Sequence, residues 1–137
     1  MAINKKGKRK ITVNGKAYLW WMLDEYSQTA FDGLQVKIIT EDLHLFFQYG
    51  LAQFPEKRFL VLGIHDKMAV HIYCPQFENE EGILLPSGIS ELIKWSSIKP
   101  DNQNIRVLRH AWANQKWNRN TEGMAVLYEE ILKELNS

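Results

Sequence analysis

Alternating apolar and polar positions dominate the first half of the chain and predict three antiparallel strand pairs. The sharpest signal is Asn14-Gly15. This pair tolerates the positive φ required at both central positions of a type I′ turn, whose twist matches the strands it joins. Counting outward, Val13 faces Lys16, Thr12 faces Ala17, Ile11 faces Tyr18 and Arg9 faces Trp20. That register puts Ile11, Val13, Tyr18, Trp20 and Met22 on one face, a candidate core. The other face of the second strand, Ala17, Leu19, Trp21 and Leu23, is apolar as well. Such a strand is covered on both sides or lines an interface.

The second pair is anchored by Leu34, Val36 and Ile38. A turn at Glu41-Asp42 sets Leu45 opposite Ile38, Phe47 opposite Val36 and Tyr49 opposite Leu34. In the third pair, Arg58 to Ile64 and Lys67 to Tyr73 turn at His65-Asp66. Phe59, Val61, Met68, Val70 and Ile72 then share one face, with Leu60, Leu62, Ala69, His71 and Tyr73 on the other. The stretches between the pairs read as connections: Asp24 to Gly33 ends in Asp-Gly, and Pro55 bars a central strand across residues 50 to 57.

Helical periodicity takes over later. Pro75 to Gly82 is an acidic loop, Ile83 to Leu85 a short strand, and Ser87 the expected N-cap of a helix over Gly88 to Ser97 that buries Ile89, Leu92 and Ile93. Ile105 to Trp112 fits a last strand or the start of a helix. A final helix, capped by Asn120 or Thr121, carries Met124, Leu127, Tyr128, Ile131 and Leu135 on one face. Strands first and helices last predict an α+β fold: an antiparallel or mixed sheet of about six to seven strands, with the mid-chain and C-terminal helices on one face. The absence of βαβ alternation, of G-x-G-x-x-G and of a P-loop argues against a dinucleotide or nucleotide fold.

At 137 residues, 45% hydrophobic and 24% charged, the chain suits one domain over residues 9–137, preceded by a basic flexible arm over 1–8. Its apolar runs fall short of the roughly 20 residues needed to cross a bilayer, and no h-region follows the basic start. A soluble, cytoplasmic protein without a membrane partner is expected. The single cysteine, Cys74, cannot form an intramolecular disulfide and agrees with a reducing compartment. The net charge of +1 conceals an uneven distribution. Lys5, Lys6, Lys8, Arg9 and Lys10 fill the first ten positions without an acid, leaving twelve basic against sixteen acidic residues elsewhere.

The opening pattern, a basic residue, Ile11, Val13, Asn14-Gly15, Tyr18 and Trp20, resembles that of small uncharacterised bacterial proteins. The stretch Leu84 to Pro100, extended chain running through a proline into a helix that stops before another, is similar to their later segment. These motifs cover about a quarter of the chain. The size and isolation also look like those of proteins encoded by mobile gene cassettes. The resemblance implies a small bacterial protein and carries over no catalytic residue.

Candidate chemistry is sparse. His44, His65, His71 and His110 show none of the spacings of a metal site, and no motif calls for a metal or cofactor. Ser87 lacks the glycines of a nucleophile elbow, and Glu78, Glu80 and Glu81 lack the ladder of a calcium loop and read as solvated. Three readings follow. The first is a non-enzymatic domain that binds a protein partner or forms a homodimer through Trp21 and Leu23. The second is a nucleic-acid-binding accessory protein, using Lys5, Lys6 and Lys8 with Arg106, Arg109, Lys116, Trp117 and Arg119, because cations attract phosphates and exposed tryptophan stacks on bases. The third is a small-ligand or hydrolytic pocket around His71, Tyr73 and Cys74.

Overall fold

The computed structural model describes residues 7–25, 31, 33–51, 53, 58–65, 68–98, 107–112, 117–118 and 121–136. The fold is α+β and its sheet is antiparallel. Eight strands are paired in strict chain order: β1 (Arg9–Val13), β2 (Lys16–Glu25), β3 (Gly33–Thr40), β4 (Leu45–Gly50), β5 (Phe59–Ile64), β6 (Met68–Tyr73), β7 (Val107–Trp112) and β8 (Trp117–Asn118). Helix α1 (Pro86–Ser97) is inserted between β6 and β7, and α2 (Thr121–Leu135) closes the chain. The sheet is thus larger than the six to seven strands expected. The segment from Val107 to Trp112 is a strand, with a bulge where β6 meets it at His71/Ile72.

The first hairpin has the register dictated by its turn, Val13 opposite Lys16 through Arg9 opposite Trp20. Asn14 and Gly15 have φ of 52° and 79°. The second hairpin differs by two residues, with Ile38 opposite Phe47 and Val36 opposite Tyr49. Thr40 causes the shift. Its hydroxyl donates to Asp42 Oδ1 (2.6 Å) and accepts from the backbone N–H of His44 (3.1 Å) and Leu45 (3.0 Å). Leu43 turns through a left-handed φ of 63°, which closes a four-residue loop. A two-residue slip preserves the faces, so Leu45, Phe47 and Tyr49 remain inside.

The third hairpin differs by one residue. Ile64 lies opposite Met68, Leu62 opposite Val70 and Leu60 opposite Ile72. This exchanges the two faces of one strand relative to the other. Leu60, Leu62, Ile64, Val70 and Ile72 therefore enter the main core, while Val61 and Ala69 join Phe31 in a smaller cluster on the far face.

The main core lies between one face of the sheet and both helices. Tyr18, Trp20, Val36, Ile38, Leu45, Phe47 and Leu62 meet Ile89, Leu92 and Ile93 of α1 and Tyr128, Ile131, Leu132 and Leu135 of α2. Helix α1 lies by β1, and α2 spans β4 to β7. Two expectations fail at α1. Ser87 is not its cap: Pro86 occupies the first turn, where its missing N–H costs nothing, and Leu85 precedes it without a side-chain cap. Ile83 to Leu85 is irregular chain rather than strand. The far ends of the helices are tied together by Asn136, whose amide donates to Ser97 O (2.9 Å) and Leu132 O (2.9 Å).

Candidate functional site

The most distinctive chemistry is a buried charge cluster at the β4–β5–β6 end of the sheet. Arg58 directly precedes β5, Tyr49 sits near the end of β4, and Glu78 belongs to the irregular segment between β6 and α1. The Arg58 and Glu78 side chains are 5% and 1% exposed, with Nη1 at 2.6 Å from Oε1. Tyr49 donates its hydroxyl to the other Glu78 oxygen and accepts from Arg58 Nη1 (2.7 Å) and from the Phe77 N–H (3.2 Å). Arg58 Nη2 donates to Gln53 O (3.2 Å). Arg58 Nε, also buried, has no hydrogen-bond acceptor among the described residues. Burial, reinforced by the hydrogen bond to Glu78, raises the Tyr49 pKa, so the phenol stays protonated and donating.

Glu78 is not solvated, contrary to what its acidic loop suggests. It is buried, whereas Glu80 and Glu81 are exposed. Rings hold the same segment: Phe77 meets Tyr49 and Trp95 edge-on, with centroids 5.5 and 5.9 Å apart. Gly88 permits the close approach of α1, because a methyl group there would lie 2.8 Å from the Phe77 carbonyl oxygen. Downstream, Asn79 Oδ1 accepts from the N–H groups of Glu81 and Ile83 (both 3.0 Å). The segment is therefore ordered by its own turn and pinned by one buried carboxylate.

The residues assigned to a pocket do not converge. His71 and Tyr73 point to the sheet face opposite the helices. His71 is buried there and stacked on Phe59 (5.2 Å, 17°), and Tyr73 is 37% exposed. Cys74 packs instead against the main core, and its N–H donates to Arg58 O (3.1 Å). Burial pushes its thiol up to about 12, against the pull of the Arg58 charge, so it is a thiol rather than a nucleophilic thiolate at neutral pH.

Trp21 and Leu23, the expected interaction surface, are half-buried on that same opposite face, where α2 does not reach them. Lys8 Nζ lies 4.8 Å from the Trp21 ring centroid. Met22, assigned to the core face, is 37% exposed, and Leu34, on the same face of the neighbouring strand, is 45% exposed.

Of the basic residues, Lys8 adjoins β1, while Arg109 and Trp117 lie in β7 and β8. β1 and β7 are six strands apart, about 29 Å along the sheet at the usual interstrand spacing. Arg9 is also engaged, its guanidinium 5.5 Å from the Trp20 ring. Lys5, Lys6, Arg106, Lys116 and Arg119 lie outside the described residues.

An open cleft of about 590 Å³ lies at the other end of the sheet, between the Asn14-Gly15 turn, Thr40 to Asp42 and the end of α2. Polar groups in and beside it engage one another. Lys16 Nζ donates to Glu134 O (2.8 Å), where the negative end of the α2 dipole favours a cation, and His44 Nε2 lies 3.2 Å from Glu134 Oε2.

The Asp42 carboxyl is held below its ordinary range, chiefly by the Thr40 hydroxyl, then by the His44 N–H and charge and by Lys16. A depressed folded-state pKa contributes stability that is present above the ordinary aspartate pKa and is lost as pH falls through the depressed value. Asp42→Asn should therefore lower the unfolding midpoint of the chain at pH 7. The deficit should shrink below about pH 4, as followed by thermal melts across the acid range.

Among the described residues, no group of three or more His, Cys, Asp or Glu side chains is placed to hold a metal, and no helix is long and apolar enough to cross a membrane. Comparison with family models, with curated proteins and with solved structures finds no match in any of the three.

Proposed function

We propose that this chain is a non-enzymatic, cytoplasmic binding domain that associates with a second copy of itself or with a protein partner and uses no cofactor. The observation that carries this reading is the exposure of Met22 and Leu34. They are diagonal neighbours on β2 and β3, since Met22 lies opposite Val36 and Asp24 opposite Leu34. The adjoining positions on that face, Trp20, Val36 and Ile38, are buried. An apolar pair left open beside a closed core suits a contact made after folding. Half-buried Trp21 and Leu23 extend apolar character to the other face of the same strand end. Pairing through the β1 edge is a poorer route, because exposed Arg9 and Lys10 guard it.

The buried cluster supports the same reading. Its opposite charges are paired with each other, and the Cys74 thiol is not activated. The test is the oligomeric state, by light scattering over a wide concentration range, combined with pull-down by the tagged chain. A dimer or a defined partner that is lost in Leu34→Asp, with the thermal midpoint retained, is the expected result. A monomer at every concentration that captures no partner sinks the proposal.

A further inference from the structure

Arg58 and Tyr49 have the composition of a carboxylate receptor: a guanidinium and a phenol converging on two oxygens in a site closed to water. Their present ligand is Glu78, delivered by the segment between β6 and α1. The fit is incomplete. Glu78 takes Arg58 Nη1 and the Tyr49 hydroxyl, Gln53 O takes Nη2, and the buried Nε donor is left without an acceptor among the described residues. A guanidinium matches a carboxylate best as a fork of two parallel N–H donors, and Glu78, held in the chain between Phe77 and Asn79, does not adopt that geometry. An untethered carboxylate is free to adopt it, and it would gain the hydrogen bond that Glu78 leaves unmade.

We propose that Arg58 and Tyr49 form a binding site for small carboxylates, which Glu78 occupies in cis as a displaceable plug. The site goes beyond the apolar contact proposed above and does not depend on it. Cys74 begins the plug segment, half-buried and bonded through its backbone to Arg58. Opening the plug uncovers its thiol, so the only cysteine of the chain reports the displacement.

The test uses sodium formate on the full chain, with sodium chloride at equal ionic strength as the reference. Glu78→Ala vacates the site. Its thermal midpoint should rise with the logarithm of formate concentration once the dissociation constant is passed, the folding constant increasing roughly a hundredfold at a hundred times that constant. Chloride should not reproduce the rise, and the double variant Arg58→Met/Glu78→Ala should not show it. In the unmodified chain, formate should speed alkylation of Cys74 relative to chloride.

A folded Glu78→Ala that responds to the two salts alike overturns the proposal, as does an equal formate response in the double variant. Should Glu78→Ala fail to fold in either salt, the unmodified chain decides. A Cys74 alkylation rate indifferent to formate then overturns the proposal, and a formate-specific increase supports it.

Discussion

Arg58→Met should lower the folding stability by about 3–5 kcal/mol, as expected when one partner of a buried ion pair is removed. The loss comes from what is left behind. Glu78 would keep its place against Tyr49 with its charge uncompensated, in a position whose side chain is 1% exposed. Arg58→Met/Glu78→Leu should recover most of the deficit, because a buried pair replaced by apolar groups of similar volume is often neutral or stabilising. Urea unfolding followed by tryptophan fluorescence reads both. Lys10→Ala serves as the contrast: its pair with Glu41 spans 3.3 Å, but the side chains are 60% and 42% exposed, and such pairs contribute about 0–1 kcal/mol. A double variant no more stable than Arg58→Met would show that the cluster acts through shape rather than charge.

Phe47→Ala should cost a similar amount, about 3–5 kcal/mol. Phe47 is fully buried and meets the Tyr18 ring edge-on at 6.0 Å. It sits in the layer where the sheet faces the helices, so its removal leaves a cavity that neither helix can fill without moving. Phe46, one residue earlier, points to the far face and is half-buried. Phe46→Ala should therefore cost clearly less. Equal losses, measured as denaturant midpoints at unchanged slope, would contradict the assignment of the two faces.

How much of this was legible in the sequence depended on how local the determining physics was. The Asn14-Gly15 turn carries its own register, since only residues tolerant of positive φ fit there, and the pairing from Val13 to Arg9 followed. Alternation also identified the strands flanking the second turn. It could not reveal that the Thr40 hydroxyl would bind two backbone N–H groups and Asp42, lengthening the loop. In the third hairpin both faces are apolar, so the pattern is blind to a one-residue slip, and only the His65-Asp66 turn is left to set the expected register. At the start of α1, Ser87 is a good cap in isolation, but Pro86 already fits the first turn.

The charge cluster was the least legible part. Arg58 and Glu78 lie twenty positions apart, and nothing distinguishes Glu78 from its exposed neighbours Glu80 and Glu81 except Phe77 beside it. That aromatic residue, in an otherwise polar loop, was the one available signal. It meant that the loop turned inward and carried the adjacent acid with it. The grouping of His71, Tyr73 and Cys74 rested on proximity in sequence. Alternation along β6 put the first two on the face away from the helices, and beyond the strand Cys74 packed into the core.

The strict chain order of the sheet also bears on how the protein is made. Each strand pairs with the one synthesised just before it, so pairing from β1 to β6 requires only short loop closures, which are entropically cheap. The two helices emerge later, α2 after every strand. A nascent chain that has reached β6 therefore has its pairing partners in place while the surface destined for Ile131 and Leu135 is still open. During synthesis, the risk of misassociation falls in the interval before α2 leaves the ribosome, and it lies on that face.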